Sequence, residues 1–531
     1  MTLNNTTKNA AGQLAADYID AEYVDHPNPE YHGNPLISAL PFYLSDDDLV
    51  EGLEELPAFA EEQRNHTSAL RQTYIGRLSR CVVALPRTTA LARSLLDLML
   101  EGYVGREPFL PDHRLKAQRI YQAKKLGLPL TELAMPTSAK KRLTRETGAE
   151  LSTAFIGASG CGKTTTMKQI AKLFPRVLRH EDVWQVPVLI FELPSDGRSL
   201  HGLATAIIAA LDRRLPYAGY AGLYLRNVNR RNALERIYEA AALLHAHGVG
   251  LLIADEAQNQ KPPEKELRNK KAAKYSEHKQ LTSEHETPLI SLLITASNQL
   301  GVPLVLVGTN ELHDVLDGRF SKKRRAAGHG TQYWEFLKAS NNVREPDEFE
   351  ALLRKLWKYQ WVRKPVKLSD ARAKVFFELT QGNPDIGVKL FASAQRKAIQ
   401  DGVEELTEAL IRATFETQFR SVHNALEAHA EQDPEKLVQF LDIAPVELRS
   451  GPDFPAVAAE MNQRNYERNR QAEAAAGRAA KDAEPPTPAN LAEVHNKLPK
   501  LTDALGDGNA NGNVHKRLME AGALATKHDA V

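Results

Sequence analysis

Short apolar runs, separated by longer stretches whose apolar positions recur with a helical spacing, dominate the middle of this chain. The runs are Ala154-Phe155-Ile156, Val188-Leu189-Ile190-Phe191, Leu251-Leu252-Ile253-Ala254 and Leu304-Val305-Leu306-Val307. Runs this short, alternating with helices, predict strands of a parallel sheet, which are covered on both faces and so carry no polar alternation. The expected fold class is α/β, a doubly wound parallel sheet over 106–335.

The flanks have a different pattern. From Asn34-Pro35-Leu36 to about Leu100 the spacing is helical, with Leu96, Met99 and Leu100 on one side of the segment Ala90 to Glu101. Gly102 and Gly105 read as stop signals. This predicts a small helical N-terminal domain over 34–105, followed by a second short helical region up to Ala149. Residues 336–430 read as an appended helical domain, with Ala371 to Thr380 and Ile386 to Gln400 joined by the turn Gln381-Gly382-Asn383-Pro384. The polar stretch 1–33 is expected to be a flexible arm. In 431–531, Gln463 to Lys481 is rich in Ala, Arg and Glu, then Pro485-Pro486-Thr487-Pro488 and a Gly/Asn/Asp stretch from Gly506 to Asn513 follow. A partly flexible C-terminal region is expected there.

Composition narrows the picture. The 531 residues are too many for one core, and 42% hydrophobic with 25% charged residues is ordinary for globular chains. A net charge of +1 means that any nucleic-acid surface must be a local basic patch. The two cysteines, Cys81 and Cys161, lack partners at metal-ligand spacing and support neither a zinc site nor a disulfide framework. No apolar run reaches the roughly 18 to 20 residues that span a bilayer, and the start of the chain lacks a signal-peptide pattern. A cytoplasmic location is expected.

The chemistry lies at the ends of the strands. Gly157-Ala158-Ser159-Gly160-Cys161-Gly162-Lys163-Thr164 matches G-x-x-x-x-G-K-[ST], follows an apolar run and opens a helical segment at Thr165. Glycines are needed because the backbone must wrap phosphates closely with its N–H groups. Lys163 is expected on the β- and γ-phosphates of ATP and Thr164 on Mg²⁺. The run 251–254 delivers Asp255 and Glu256 where ligands bind in open parallel sheets. Asp255 is expected to hold the Mg²⁺ and Glu256 to deprotonate the attacking water. A third run ends at Gly308-Thr309-Asn310, where Thr309 or Asn310 would sense the γ-phosphate; alternatively they cap the helix that opens at Glu311. In Arg319-Phe320-Ser321-Lys322-Lys323-Arg324-Arg325, Arg324 or Arg325 would reach a neighbouring subunit's nucleotide, or the run is a solvated basic face.

These residues resemble the TnsC/TniB-like AAA+ ATPases, P-loop proteins that regulate target choice in heteromeric transposons of the TnsABC type. The similar stretches are Asn34-Pro35-Leu36-Ile37-Ser38-Ala39-Leu40-Pro41, Gly102-Tyr103-Val104-Gly105-Arg106, the phosphate loop and Gly250 to Gln258. Further on they are Gly301-Val302-Pro303 through Thr309, Arg324-Arg325-Ala326-Ala327-Gly328, Gln381-Gly382 through Asp385-Ile386, and Val388-Lys389-Leu390-Phe391. The likeness runs from about 34 to 425; the two ATPase motifs are shared by very many ATPases, the flanking stretches by far fewer.

The resemblance implies an AAA+ sheet with a helical lid over 336–430 and an ATP-dependent ring or filament on double-stranded DNA. It also implies a target-site-selecting partner of the TniQ/TnsD kind at the N-terminal domain and transposase subunits of the TnsA/TnsB kind at the C-terminal region. Hydrolysis would act as a timer of disassembly. It points to Arg198, Arg226, Arg230 and Arg231 as phosphate contacts, residues that otherwise read as charged helix surface. Two features depart from the family. The segment Lys261 to Glu286 is longer and more charged than expected, and the Gly382-Asn383-Pro384-Asp385 turn lacks the nucleotide-sensing arginine of many lids, so either Lys389 replaces it or the lid senses weakly. A replication initiator or helicase loader would share the ATPase core but usually carries a DNA-reading domain after the lid, where Gln463 to Val531 reads as a tail. A non-catalytic ATP switch is a third reading, against which Glu256 argues.

Overall fold

The computed structural model describes residues 18–43, 45–104, 106, 151–181, 183–195, 199–215, 218–224, 233–260, 293–294, 301–316, 328–339, 347–450 and 454. Among them are eight strands: β1 (Ile19–Asp20), β2 (Ser152–Gly157), β3 (Leu178–Arg179), β4 (Trp184–Gln185), β5 (Val188–Glu192), β6 (Leu251–Asp255), β7 (Leu304–Gly308) and β8 (Thr331–Trp334). The four apolar runs are β2, β5, β6 and β7. Together with β8 they form a parallel sheet in the order β5-β6-β7-β2-β8. The strand β8 is an edge strand with a half-exposed face, so its sequence Thr-Gln-Tyr-Trp carries no apolar run.

Successive side chains on a strand face opposite ways, and the core divides accordingly. Ala154, Ile156, Leu252, Ala254, Leu304 and Leu306 pack on one side with Leu203, Ile207, Ile237 and Leu244 from helices Leu200–Arg214 and Ala233–Ala246. Phe155, Leu251, Ile253, Val305 and Val307 pack on the other with Met167 and Ile170 from helix Lys163–Lys172 and with Leu91, Leu95 and Leu98 from helix Pro86–Tyr103. Helices on both faces make the sheet doubly wound, as its apolar strands predict.

The N-terminal region differs from its expected form in three ways. Its long helix lies directly on the sheet, so 34–104 shares a core with the α/β layer. The helix runs through Gly102, where a Cβ would lie 2.2 Å from Pro303 Cγ; the glycine serves close packing, not a stop. On that helix Met99 is buried in the core and Leu96 and Leu100 pack half-buried against it, on one side as their spacing predicts. The second half of the expected arm is paired: β1 runs parallel to β3, which is antiparallel to β4, and Val24 N donates to Ser38 O at 2.8 Å.

Downstream, helices Glu348–Leu356, Asp370–Thr380, Pro384–Gln400 and Glu408–Gln418 enclose a core of their own around Leu353, Phe376, Leu390 and Phe391. Ile75, Leu78, Val83 and Leu85 from the N-terminal region join this core. Arg71, 1% exposed, pairs with Glu404 of the helical region through Nη2 to Oε1 at 2.6 Å. The N-terminal region thus straddles the sheet and the helices that follow it. These elements belong to the compact unit Met1–Pro455. Among the described residues no helix is long and apolar enough to cross a membrane.

Candidate nucleotide site

Strand β2 delivers Gly157 to the C-terminal edge of the sheet, and the chain then loops into helix Lys163–Lys172. Gly160 (φ +82°) and Gly162 (φ +98°) adopt the left-handed conformation that glycine enters freely. Close approach also demands glycine at 157, where a Cβ would lie 2.8 Å from both Cys161 Sγ and Trp334 O. Lys163 Nζ donates to Gly157 O at 2.8 Å and Ala158 O at 2.9 Å, so the ammonium lies over the loop it belongs to. A loop rich in N–H groups, a helix N-terminus and a lysine together favour phosphate oxygens.

The acidic pair stands two strands away, because β7 lies between β2 and β6. Thr164 Oγ1 nevertheless donates to Asp255 Oδ2 at 2.8 Å. Asp255 is 4% exposed, and its other oxygen accepts from Glu256 N at 3.0 Å. A hydroxyl and a carboxylate converging beside the phosphate loop are the hard oxygen donors that suit Mg²⁺, so these residues fit that ion. Glu256 has φ +58° and is exposed, its carboxylate free of the core.

Residues 146–316 match the family described as AAA domain. The likeness to that family lies in this part of the chain. The chain is an ATPase that binds nucleotide. No curated protein matches the chain in sequence. Solved structures similar to it include the RuvB Holliday junction branch migration motor of Thermotoga maritima, at 16% identity over 65% of this chain and 81% of that one, TM-score 0.29. A Walker-type ATPase of Pyrococcus abyssi is 14% identical over 57% of this chain and 76% of that one, TM-score 0.31. The ORC2 protein of Aeropyrum pernix, solved as ADPNP and ADP complexes, is 15% identical over 60% and 71%, TM-score 0.30.

Because β7 lies between β6 and β2, Thr309 and Asn310 stand between the glycine loop and the acidic pair. The two residues have different surroundings. Asn310 is fully buried and its Nδ2 donates to Ala444 O at 2.9 Å; its Oδ1 has no hydrogen-bond partner among the described residues, so it does not cap the helix Glu311–Leu316 through its side chain. Thr309 Oγ1 is also buried without a hydrogen-bond partner among the described residues. The Glu335 carboxyl stands nearby; burial pushes it up, Glu447 adds to that, and hydrogen bonds from Val446 and Asn310 oppose it.

Three residues that the sequence did not single out complete the surroundings of the loop. Asn383, at the start of helix Pro384–Gln400, donates from Nδ2 to Ser159 O at 3.1 Å, and a Cβ on Gly160 would meet that amide at 2.7 Å. Asp442 accepts from Ser159 N through its main-chain carbonyl at 3.0 Å. Gln258 accepts from Thr309 N at 3.1 Å and donates to Glu256 Oε2. Lys389 instead pairs with Asp385 on its own helix, so the helical region touches the loop through Asn383. Only a G-N-P turn marks Asn383 in the sequence, and nothing marks Asp442, because a main-chain carbonyl has no residue signature.

Arg198, Arg226, Arg230, Arg231, Arg324 and Arg325 lie outside the described residues, as does the charged segment 261–286. Residues 34–41, 102–104 and 106 lie at the opposite edge of the sheet from the loop. Asn34 Nδ2 donates to Tyr103 O at 2.8 Å, Tyr103 Oη to Gly248 O at 2.8 Å, and Arg106 Nη1 to Val249 O at 2.9 Å and Gly301 O at 3.1 Å. Burial pushes the Arg106 guanidinium down to about 10. These stretches weld the N-terminal helix to the starts of β6 and β7.

Proposed function

We propose that this ATPase regulates transposition. It assembles with itself on double-stranded DNA when ATP is bound, links a TniQ/TnsD-like target-site selector to TnsA/TnsB-like transposase subunits, and disassembles on hydrolysis. The observation that carries the reading is the pairing of a buried Asp255 with an exposed Glu256 beside the phosphate loop. A protein that only held ATP would need the first carboxylate and not the second. The stretches flanking the two motifs direct this chemistry to the TnsC/TniB-like family.

In this reading the N–H groups of 157–165, in the stretch Gly157-Ala158-Ser159-Gly160-Cys161-Gly162-Lys163-Thr164-Thr165, bind the phosphates. Lys163 leaves its two loop carbonyls for the β- and γ-phosphates. Thr164 and Asp255 hold Mg²⁺, which when bound neutralises phosphate charge. Glu256 takes the proton of the attacking water. Thr309, whose hydroxyl lacks a partner among the described residues, reports the γ-phosphate, while Asn310 ties the end of β7 to the segment around Ala444. Arg324 or Arg325 completes the site of a neighbouring subunit. Arg198, Arg226, Arg230 and Arg231 contact DNA phosphates, contacts that weaken as salt rises. The N-terminal region receives the target selector, and 431–531 receives the transposase.

The test is assembly. With a non-hydrolysable ATP analogue and duplex DNA, the chain is expected to form oligomers visible by light scattering and electron microscopy, and Lys163→Ala is expected to form none. A monomer under all nucleotide and DNA conditions would overturn the proposal.

A further inference from the structure

We propose that Gln258 is a positioning residue that fixes the rotamer of Glu256 and ties it to the end of β7; the inference rests on Glu256 acting as the base. The amide is bound at both ends. Its Oε1 accepts from Thr309 N at 3.1 Å and its Nε2 donates to Glu256 Oε2. The orientation is not arbitrary. A main-chain N–H only donates, so the amide oxygen must face Thr309, and the NH₂ must then face the carboxylate.

The surrounding backbone is built to hold this arrangement. Glu256 takes φ +58°, which lets the chain turn directly into the 3₁₀ turn Ala257–Gln260. Ala257 is fully buried, Asn259 N donates to Glu256 O at 3.0 Å, and Asn259 Nδ2 donates to Leu193 O at 3.2 Å just past β5. Asn259 therefore pins the turn towards β5 and Gln258 pins it towards β7. Gly308 makes room for the second contact: a Cβ there would lie 2.7 Å from Gln258 Oε1.

The chemical consequence follows from the exposure of Glu256. A free surface carboxylate samples several rotamers, and only those that aim an oxygen at the water can take its proton. The bond to Oε2 selects one rotamer and leaves Oε1 with open lone pairs for that water. Because Gln258 reads the amide of Thr309, a shift of the end of β7 moves the base as well. The sensor strand and the base are thus joined by one side chain.

The experiment compares Gln258→Met, Gln258→Glu and Glu256→Gln in the full chain, measuring kcat and KM for ATP by phosphate release and affinity by nucleotide titration. Methionine keeps the volume and removes both hydrogen bonds; glutamate keeps an acceptor and replaces the donor with a second carboxylate. Both Gln258 variants are expected to lower kcat about tenfold or more with KM within about twofold, a fraction of what a general base contributes. Adding Gln258→Met to Glu256→Gln is expected to cause no further loss, since the two act as a unit. A Met variant with wild-type kcat would make the contact packing alone and overturn the inference, as would additive losses in the double variant. If Glu256→Gln itself turns over normally, the base assignment fails, a result distinct from the failure of Gln258.

Discussion

Removing the carboxylate of Glu404 should detach the N-terminal region from the helical core, by an amount that the burial of Arg71 sets. The Arg71 side chain is 1% exposed and that of Glu404 14%. The guanidinium donates to both carboxylate oxygens, at 2.6 and 2.7 Å, and to Trp361 O at 2.9 Å. Truncating one partner of a buried pair strands the other charge and costs about 3–5 kcal/mol. Since Glu404 keeps an edge in water, Glu404→Gln is expected near the lower figure, about 3 kcal/mol. Replacing both by methionine removes the stranded charge, so the double variant is expected within about 1 kcal/mol of wild type. Urea unfolding followed by tryptophan fluorescence reads this directly, because Trp361 is fully buried beside the pair.

The same pair fixes a pH dependence. The hydrogen bonds from Arg71 hold the Glu404 carboxyl below its ordinary value; burial opposes this, and Arg363 N–H and the Arg71 and Arg363 charges add to it. A carboxyl depressed on folding contributes stability that is fully present above its unfolded value, about 4.3, and lost as pH falls through the folded one. The gap between wild type and Glu404→Gln should therefore be complete at neutral pH and close in acid. A single-variant loss under about 1 kcal/mol, or a gap unchanged in acid, would refute the reasoning.

The remaining predictions concern the nucleotide site and its junction with the helical region. Gly382→Ala places a Cβ 1.9 Å from Leu337 O at φ +77°, and is expected to lose about 3 kcal/mol or more in urea unfolding; an unchanged midpoint would show that the junction gives way freely. Glu256→Gln should keep nucleotide affinity in a titration while phosphate release falls about 10²–10⁴-fold. Lys163→Ala should lose nucleotide binding itself, measured with a fluorescent ATP analogue, because the loop N–H groups alone do not neutralise the phosphates.

Local pattern made much of the fold legible. The four apolar runs are strands because a strand covered on both faces must be apolar at every position, and no other arrangement of so short a run buries it as well. The left-handed Gly160 and Gly162 and the placement of Asp255 at a strand end were legible for a related reason, since a tight loop demands glycines at fixed spacing and an apolar run ending in carboxylates delivers them to the edge of a parallel sheet. Strand β8 was not readable, since an edge strand has one neighbour and carries polar residues.

What remained for the tertiary structure is whatever depends on distant backbone. The order β5-β6-β7-β2-β8 brings Thr164 to Asp255 across an intervening strand, a contact between residues that the sequence holds far apart. The partners of the loop, Asn383 and the carbonyl of Asp442, come from the helical region and from the segment after it. Nothing in the residue type of Gln258 marks its place beside Gly308 and Thr309. The sequence alone determined that ATP chemistry occurs here, because that chemistry is written in residue types at short spacing. How the site is held and sensed was decided by the fold, because hydrogen bonds to main-chain groups leave no trace in residue type.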